Sequence, residues 1–218
     1  MRPDAASPRD AWTRYAVGLA VFTVAYNLVE GLVSMGFGWA GDSVALFGFG
    51  ADSFIEVGSA LLILWRLRVE AEGCAASLLQ RERRAAKGIG LLLLALAAGA
   101  AGGALLQLAG HRHPETTLPG LLVALLSLSF MYFLWREKRK AARALDSRAL
   151  EADAACSFAC MQLSGVLFTG SLVYLLLPRL WWADAAAALL LSAFIAKEGW
   201  ETVRAASKED FSGGCGCH

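Results

Sequence analysis

The chain has 218 residues, is 57% apolar and has a mean hydropathy of +0.51, which excludes an ordinary water-soluble domain. Its net charge of +1 says little by itself, and no feature points to nucleic acid; the placement of the charges is what informs. The five cysteines all fall in segments predicted to lie inside the membrane or on its cytoplasmic side, so free thiols or ligands are expected rather than disulfides.

Six apolar segments approach or exceed the length that crosses a bilayer, roughly 20 residues. They cover about 13–37, 43–66, 88–109, 118–136, 150–177 and 182–204, which predicts an all-α, polytopic membrane protein. The predicted organisation is a cytoplasmic N-terminal segment (1–12), a six-helix transmembrane domain (13–205) and a cytoplasmic Cys/His tail (206–218). Residues 1–14 are polar and contain Pro3 and Pro8, so no cleaved signal peptide is expected. Eighteen of the 20 Lys and Arg residues fall on one side of these segments; only Arg112 and Arg179 fall on the other. The positive-inside rule then puts both termini in the cytoplasm. All seven tryptophans, at positions 12, 39, 65, 135, 181, 182 and 200, sit at segment ends, where amphipathic rings favour the headgroup level.

In chain order, segment 1 holds Asn27 and Glu30, three residues apart on one helical face. A carboxylate in hydrocarbon turns toward the bundle interior or a wet cavity, so this pair either joins helices or supports a site and handles protons. Segment 2 carries DSVALFGFGADSFIE (42–56), in which Gly48 and Gly50 suit close helix approach or an aqueous cavity. The stretch 67–87, with Cys74 and QRERR at 80–84, is expected to be a solvated helical extension. Segment 3 contains GAAGGA from Gly99, a small-residue face for packing within the monomer or against a second copy. His111 and His113 lie in a short outer loop and are expected to be solvated. Segment 4 has Ser127 and Ser129 but no ionisable group before Arg136, and the basic run after it is expected to set topology and touch anionic lipid. Segment 5 begins with Glu151 and Asp153 ahead of Cys156 and Cys160; Asp153 either orients a site there or caps the helix. The tail ends in GGCGCH, where Cys215, Cys217 and His218 could capture a soft metal ion.

The segment from Asp42 to Glu56 aligns without gaps on DSRALEADAACSFAC, Asp146 to Cys160, with seven of fifteen positions identical. Asp52 falls on Cys156 and Glu56 on Cys160. Each copy therefore offers two metal-capable side chains four residues apart, on one face of a helix. Facing each other, the two helices would supply the four ligands of a tetrahedral site. Segment 2 runs inward and segment 5 outward, so the halves 1–3 and 4–6 form an inverted repeat, a recurrent plan of secondary transporters.

These features resemble the transmembrane domain of the cation diffusion facilitator, or cation efflux, family: six spans, SVALFGFGADSFIE in segment 2 and ALEADAACSFAC in segment 5. The resemblance implies metal ligands at Asp52, Glu56, Cys156 and Cys160. Two departures stand out: a Cys/Cys pair where the family has His/Asp, and no usual C-terminal cytoplasmic domain. The implied activity is export of a divalent or soft transition-metal ion, of the zinc or cadmium type, by a metal/proton antiporter of the cell (inner) membrane. The alternative is a membrane metal-binding or sensing protein that does not transport. An enzyme is not expected, since no nucleophile–base constellation is present. Nor is a prosthetic group expected; the expected partners are metal ions, protons, lipid and a second copy of the chain.

Overall fold

In the computed structural model, which describes residues 8–40, 44–68, 75–111, 118–180 and 182–208, every element is helical. Six α-helices follow one another: α1 (Pro8–Ala40), α2 (Val44–Leu67), α3 (Ala75–Ala109), α4 (Leu118–Leu145), α5 (Arg148–Leu176) and α6 (Ala183–Ser207). A short 3₁₀ turn, Pro178–Leu180, lies between the last two. No strand occurs among the described residues. Each expected segment corresponds to one helix, but α3 begins at Ala75 and α4 runs on to Leu145, so both extend well past their apolar stretches.

The extensions follow from local preferences. The run REKRKAARAL is built of strong helix formers, and Met131, Leu134, Ala141, Ala142 and Leu145 keep one buried stripe going through it. Only Asp146 and Ser147 then separate α4 from α5. Asp146 takes the left-handed conformation, with φ of 48°. Its N–H reaches Arg143 O, and the N–H of Ser147 reaches Ala142 O at 3.0 Å, the paired bonds of a Schellman ending. Ser147 then caps α5, its hydroxyl accepting from Leu150 N at 3.2 Å. The Asp-Ser shared by both repeat copies thus has a structural meaning at 146–147: it stops one helix and starts the next. Its counterpart, Asp42-Ser43, lies outside the described residues.

Helices pack most extensively as α1 with α2, α3 with α6, and α4 with α5; α2 and α5 also meet each other at the centre. Two of the crossings are made backbone to backbone. A Cβ on Gly50 would stand 2.8 Å from Gly31 O, and one on Gly90 would stand 3.0 Å from Gly199 O. Small residues allow this closeness, as in membrane helix pairs. The expectation for Gly50 holds, whereas that for the GAAGGA face within the monomer does not: Gly99, Gly102 and Gly103 have nothing within 4 Å of an added Cβ.

Around an apolar core, several ionisable side chains are buried and many large apolar ones face outward. Leu106 and Phe194 are 72% and 70% exposed, while Asn27, Glu56, Arg66, Glu82, Lys138 and Asp153 are buried. Large apolar side chains facing outward around a charged interior suit a lipid surround. The stretches Pro8–Phe37 and Leu78–Ala109 are long and apolar enough to cross a membrane.

Candidate metal-binding site

Two helices in register form the site. On α2, Asp52, Glu56 and Ser59 follow at three- and four-residue spacing and face α5. On α5, whose start is fixed by the Ser147 cap, Asp153, Cys156, Ser157 and Cys160 fall on the facing stripe. Ligand atoms of Glu56, Cys156 and Cys160 all lie within 4.8 Å of one another, and all three residues are buried. The Cys160 thiol donates to Asp52 Oδ1 at 3.2 Å and lies 3.8 Å from Glu56 Oε2. The structure therefore brings together the four residues that the repeat pairs. Asp52 is only half-buried and forms the rim, whereas the other three are sealed. Both thiols are free.

A residue not singled out from the sequence enters from α4. Lys138, among the largest fully buried side chains, places its Nζ 2.6 Å from Glu56 Oε1, 3.1 Å from the carboxylate oxygens of Asp153, and 2.9 Å from Ser157 Oγ. An ammonium has three donors, and three partners take them. Ser157 in turn donates to Glu56 Oε1, and Ser59 donates to Asp153 Oδ1 at 2.6 Å. Asp153 consequently does not cap α5; it braces Lys138 one turn inside the helix. The basic run after segment 4 is not uniformly solvated either, because helical continuation turns Lys138 onto the stripe of Leu134, Ala141 and Leu145. Its exposed members do behave as surface charges, as with Lys140 bonded to Glu137 at 2.6 Å. Breaking a buried charge cluster of this kind costs about 3–5 kcal/mol, so Lys138 is integral to it.

Asn27 and Glu30 do not enter the four-residue cluster. Glu30 is buried, accepting from Tyr26 OH at 3.0 Å and from Ser53 Oγ at 3.2 Å. Ser53 follows Asp52 directly, so Glu30 adjoins the site across the α1–α2 contact. Asn27 donates from Nδ2 to Thr23 O at 3.0 Å, while its buried Oδ1 has no hydrogen-bond partner among the described residues.

Below the site, the run 80–84 is helical as expected but not simply solvated. Glu82 is buried and pairs with buried Arg66 at the end of α2. The same carboxylate accepts from Ser147 Oγ at 2.6 Å and Ala149 N at 2.8 Å. Its neighbour Arg83 donates from Nε to Ala206 O at 2.7 Å and also bonds Lys208 O. An anion thus sits at the amino end of α5 and a cation at the carboxyl end of α6, as helix dipoles favour. Among the remaining candidates, His111 ends α3 exposed, with φ of 49°. Cys74, His113, Cys215, Cys217 and His218 lie outside the described residues.

The model of the cation efflux transmembrane domain matches residues 85–209, more than half of the chain. This chain belongs to the cation efflux family. That is a family of membrane cation transporters rather than of enzymes. The matched stretch holds α4, α5 and α6 with the Cys pair and Lys138, while Asp52 and Glu56 precede it. No individual curated protein matches the chain.

Proposed function

We propose that this cation efflux protein exports a divalent or soft transition-metal ion, of the zinc or cadmium type, from the cytoplasm in exchange for protons, and that Asp52, Glu56, Cys156 and Cys160 carry it. The observation behind this is the convergence of two thiols and a carboxylate within 4.8 Å in a sealed interior, with Asp52 at the rim. Ligand atoms around one four-coordinate zinc stand roughly 3.5–4 Å apart, so a small contraction closes the shell. Thiolates favour soft ions over manganese or magnesium.

In this reading all six helices span the membrane with both termini cytoplasmic, supported by the lopsided Lys and Arg distribution and the exposed Trp12, Trp39, Trp65, Trp182 and Trp200. The inverted repeat is supported by the helix pairing. Exchanging α1–α3 with α4–α6 maps α1/α2 onto α4/α5 and α2/α3 onto α5/α6. Buried Lys138, Arg66 and Glu82 close the cytoplasmic end, while Asp52 stays accessible, which suits a state open to the outside. Ligation requires deprotonated groups, so metal arriving from the cytoplasm releases protons, and protons from outside compete it away. Glu30 with Asn27, and Asp153 through Lys138, support the site and its proton traffic. Cys215, Cys217 and His218 capture metal on the cytoplasmic side. A homodimer in the cell (inner) membrane belongs to the same reading.

Flux into proteoliposomes tests this. Wild-type protein should show time-dependent uptake of zinc or cadmium that responds to a proton gradient, and Asp52→Ala and Cys156→Ala should each lose it while remaining folded. Wild-type flux in both variants would sink the site. Binding without flux in the wild type would favour the sensing alternative.

A further inference from the structure

The four-ligand reading leaves open how a site with three carboxylates near two thiols keeps to four ligands. We infer that Lys138 is a positioning residue that sets ion selectivity, by holding Glu56 to one free oxygen and keeping Asp153 out of the metal's reach. This rests on the site proposed above and deepens it.

Hard ions such as manganese, magnesium and calcium gather about six or more oxygens, often with bidentate carboxylates, whereas zinc and cadmium accept four donors rich in sulfur. On the inner side of the site, the oxygens able to enlarge the shell are already engaged. Glu56 Oε1 is bound by Lys138 at 2.6 Å and by Ser157, so Oε2 alone turns toward Cys160. Asp153 is held by Lys138 at 3.1 Å and by Ser59 at 2.6 Å. A tethered ammonium thus does for the carboxylates what partner groups behind ligands do in metal sites generally: it fixes orientation and denticity. A side chain that only filled space or balanced charge would influence all divalent ions alike. A denticity lock affects oxygen-seeking ions selectively.

The test uses the full chain, purified in detergent, with Cys74→Ser, Cys215→Ser and Cys217→Ser so that only the two buried thiols report. Cadmium binding is read from its ultraviolet thiolate charge-transfer band, with manganese as competitor. In Lys138→Met, manganese should displace cadmium at least about tenfold more effectively than in the parent, the scale of one lost charged hydrogen bond. Lys138→Arg, which restores the cation, should recover part of the preference. If Lys138→Met does not fold, Lys138→Gln combined with Asp153→Asn removes both charges, and a smaller loss of preference, through the freed Glu56 alone, is expected. An unchanged cadmium-to-manganese ratio in whichever of these proteins folds overturns the role of Lys138. A band that survives Cys156→Ala with Cys160→Ala instead overturns the four-residue site itself.

Discussion

Glu82→Ala takes one carboxylate from a point where three helices meet. It removes one partner of buried Arg66 on α2 and two acceptor contacts at the start of α5, to Ser147 Oγ and Ala149 N. Removing one member of a buried ion pair costs about 3–5 kcal/mol, mostly because the other charge remains desolvated. For a chain of this length each kcal/mol moves the midpoint by about 2–4 °C, so a fall on the order of 10 °C is predicted. Tryptophan fluorescence during thermal unfolding in detergent would measure it. Arg66→Met alone should also destabilise, by stranding Glu82, but the double variant Glu82→Ala/Arg66→Met should stand above Glu82→Ala, since no buried guanidinium is left facing an alanine. A Glu82→Ala midpoint within a degree or two of wild type, or a double variant no better than Glu82→Ala, would refute the idea that this cluster is a buried electrostatic joint.

Other expectations concern packing and the tail. Gly90→Ala pushes a methyl against Gly199 O and Val203 N, 3.0 and 3.1 Å away, and should cost about 1–3 kcal/mol in thermal unfolding. Gly99→Ala meets nothing within 4 Å and should be neutral or raise stability by up to about 1 kcal/mol through helix propensity. Deleting residues 215–218 should weaken the apparent affinity for cytoplasmic metal in flux assays while leaving maximal flux largely intact; abolished flux would place the tail in the pathway.

The helices are readable because long apolar stretches leave little alternative, and the pairs Asp52/Glu56 and Cys156/Cys160 are readable because the repeat sets them side by side. Lys138 and Glu82 were missed for one shared reason. Each sits in a charged run beside an apolar segment, and such a run reads as the end of the packed region. Continuing the helical period through them gives the answer: Lys138 falls in step with Met131, Leu134 and Leu145, and Glu82 with Ala85, Ala86 and Ile89. A charge on the buried stripe of a helix needs a partner, and these two have theirs on helices distant in sequence. Two carboxylates and two thiols around one divalent ion would carry excess negative charge if all were ionised, and Lys138 places a full cation from α4 beside them.

The glycine crossings bear on how such a bundle can change shape. Where Gly31 meets Gly50 and Gly90 meets Gly199, carbonyl faces backbone, and the side chains of Met35, Phe54 and Val203 close in around the contact. Backbones that touch have no rotamers of their own to reshuffle, so each pair responds to stress as a stiff plank. Compliance is left to the seams filled by long side chains, and the seam between α2 and α5 is spanned by Lys138, Ser59 and Ser157 gripping carboxylates. The joint at the candidate site is thus made of side chains, and its hydrogen bonds would have to exchange partners for α2 and α5 to shift against each other.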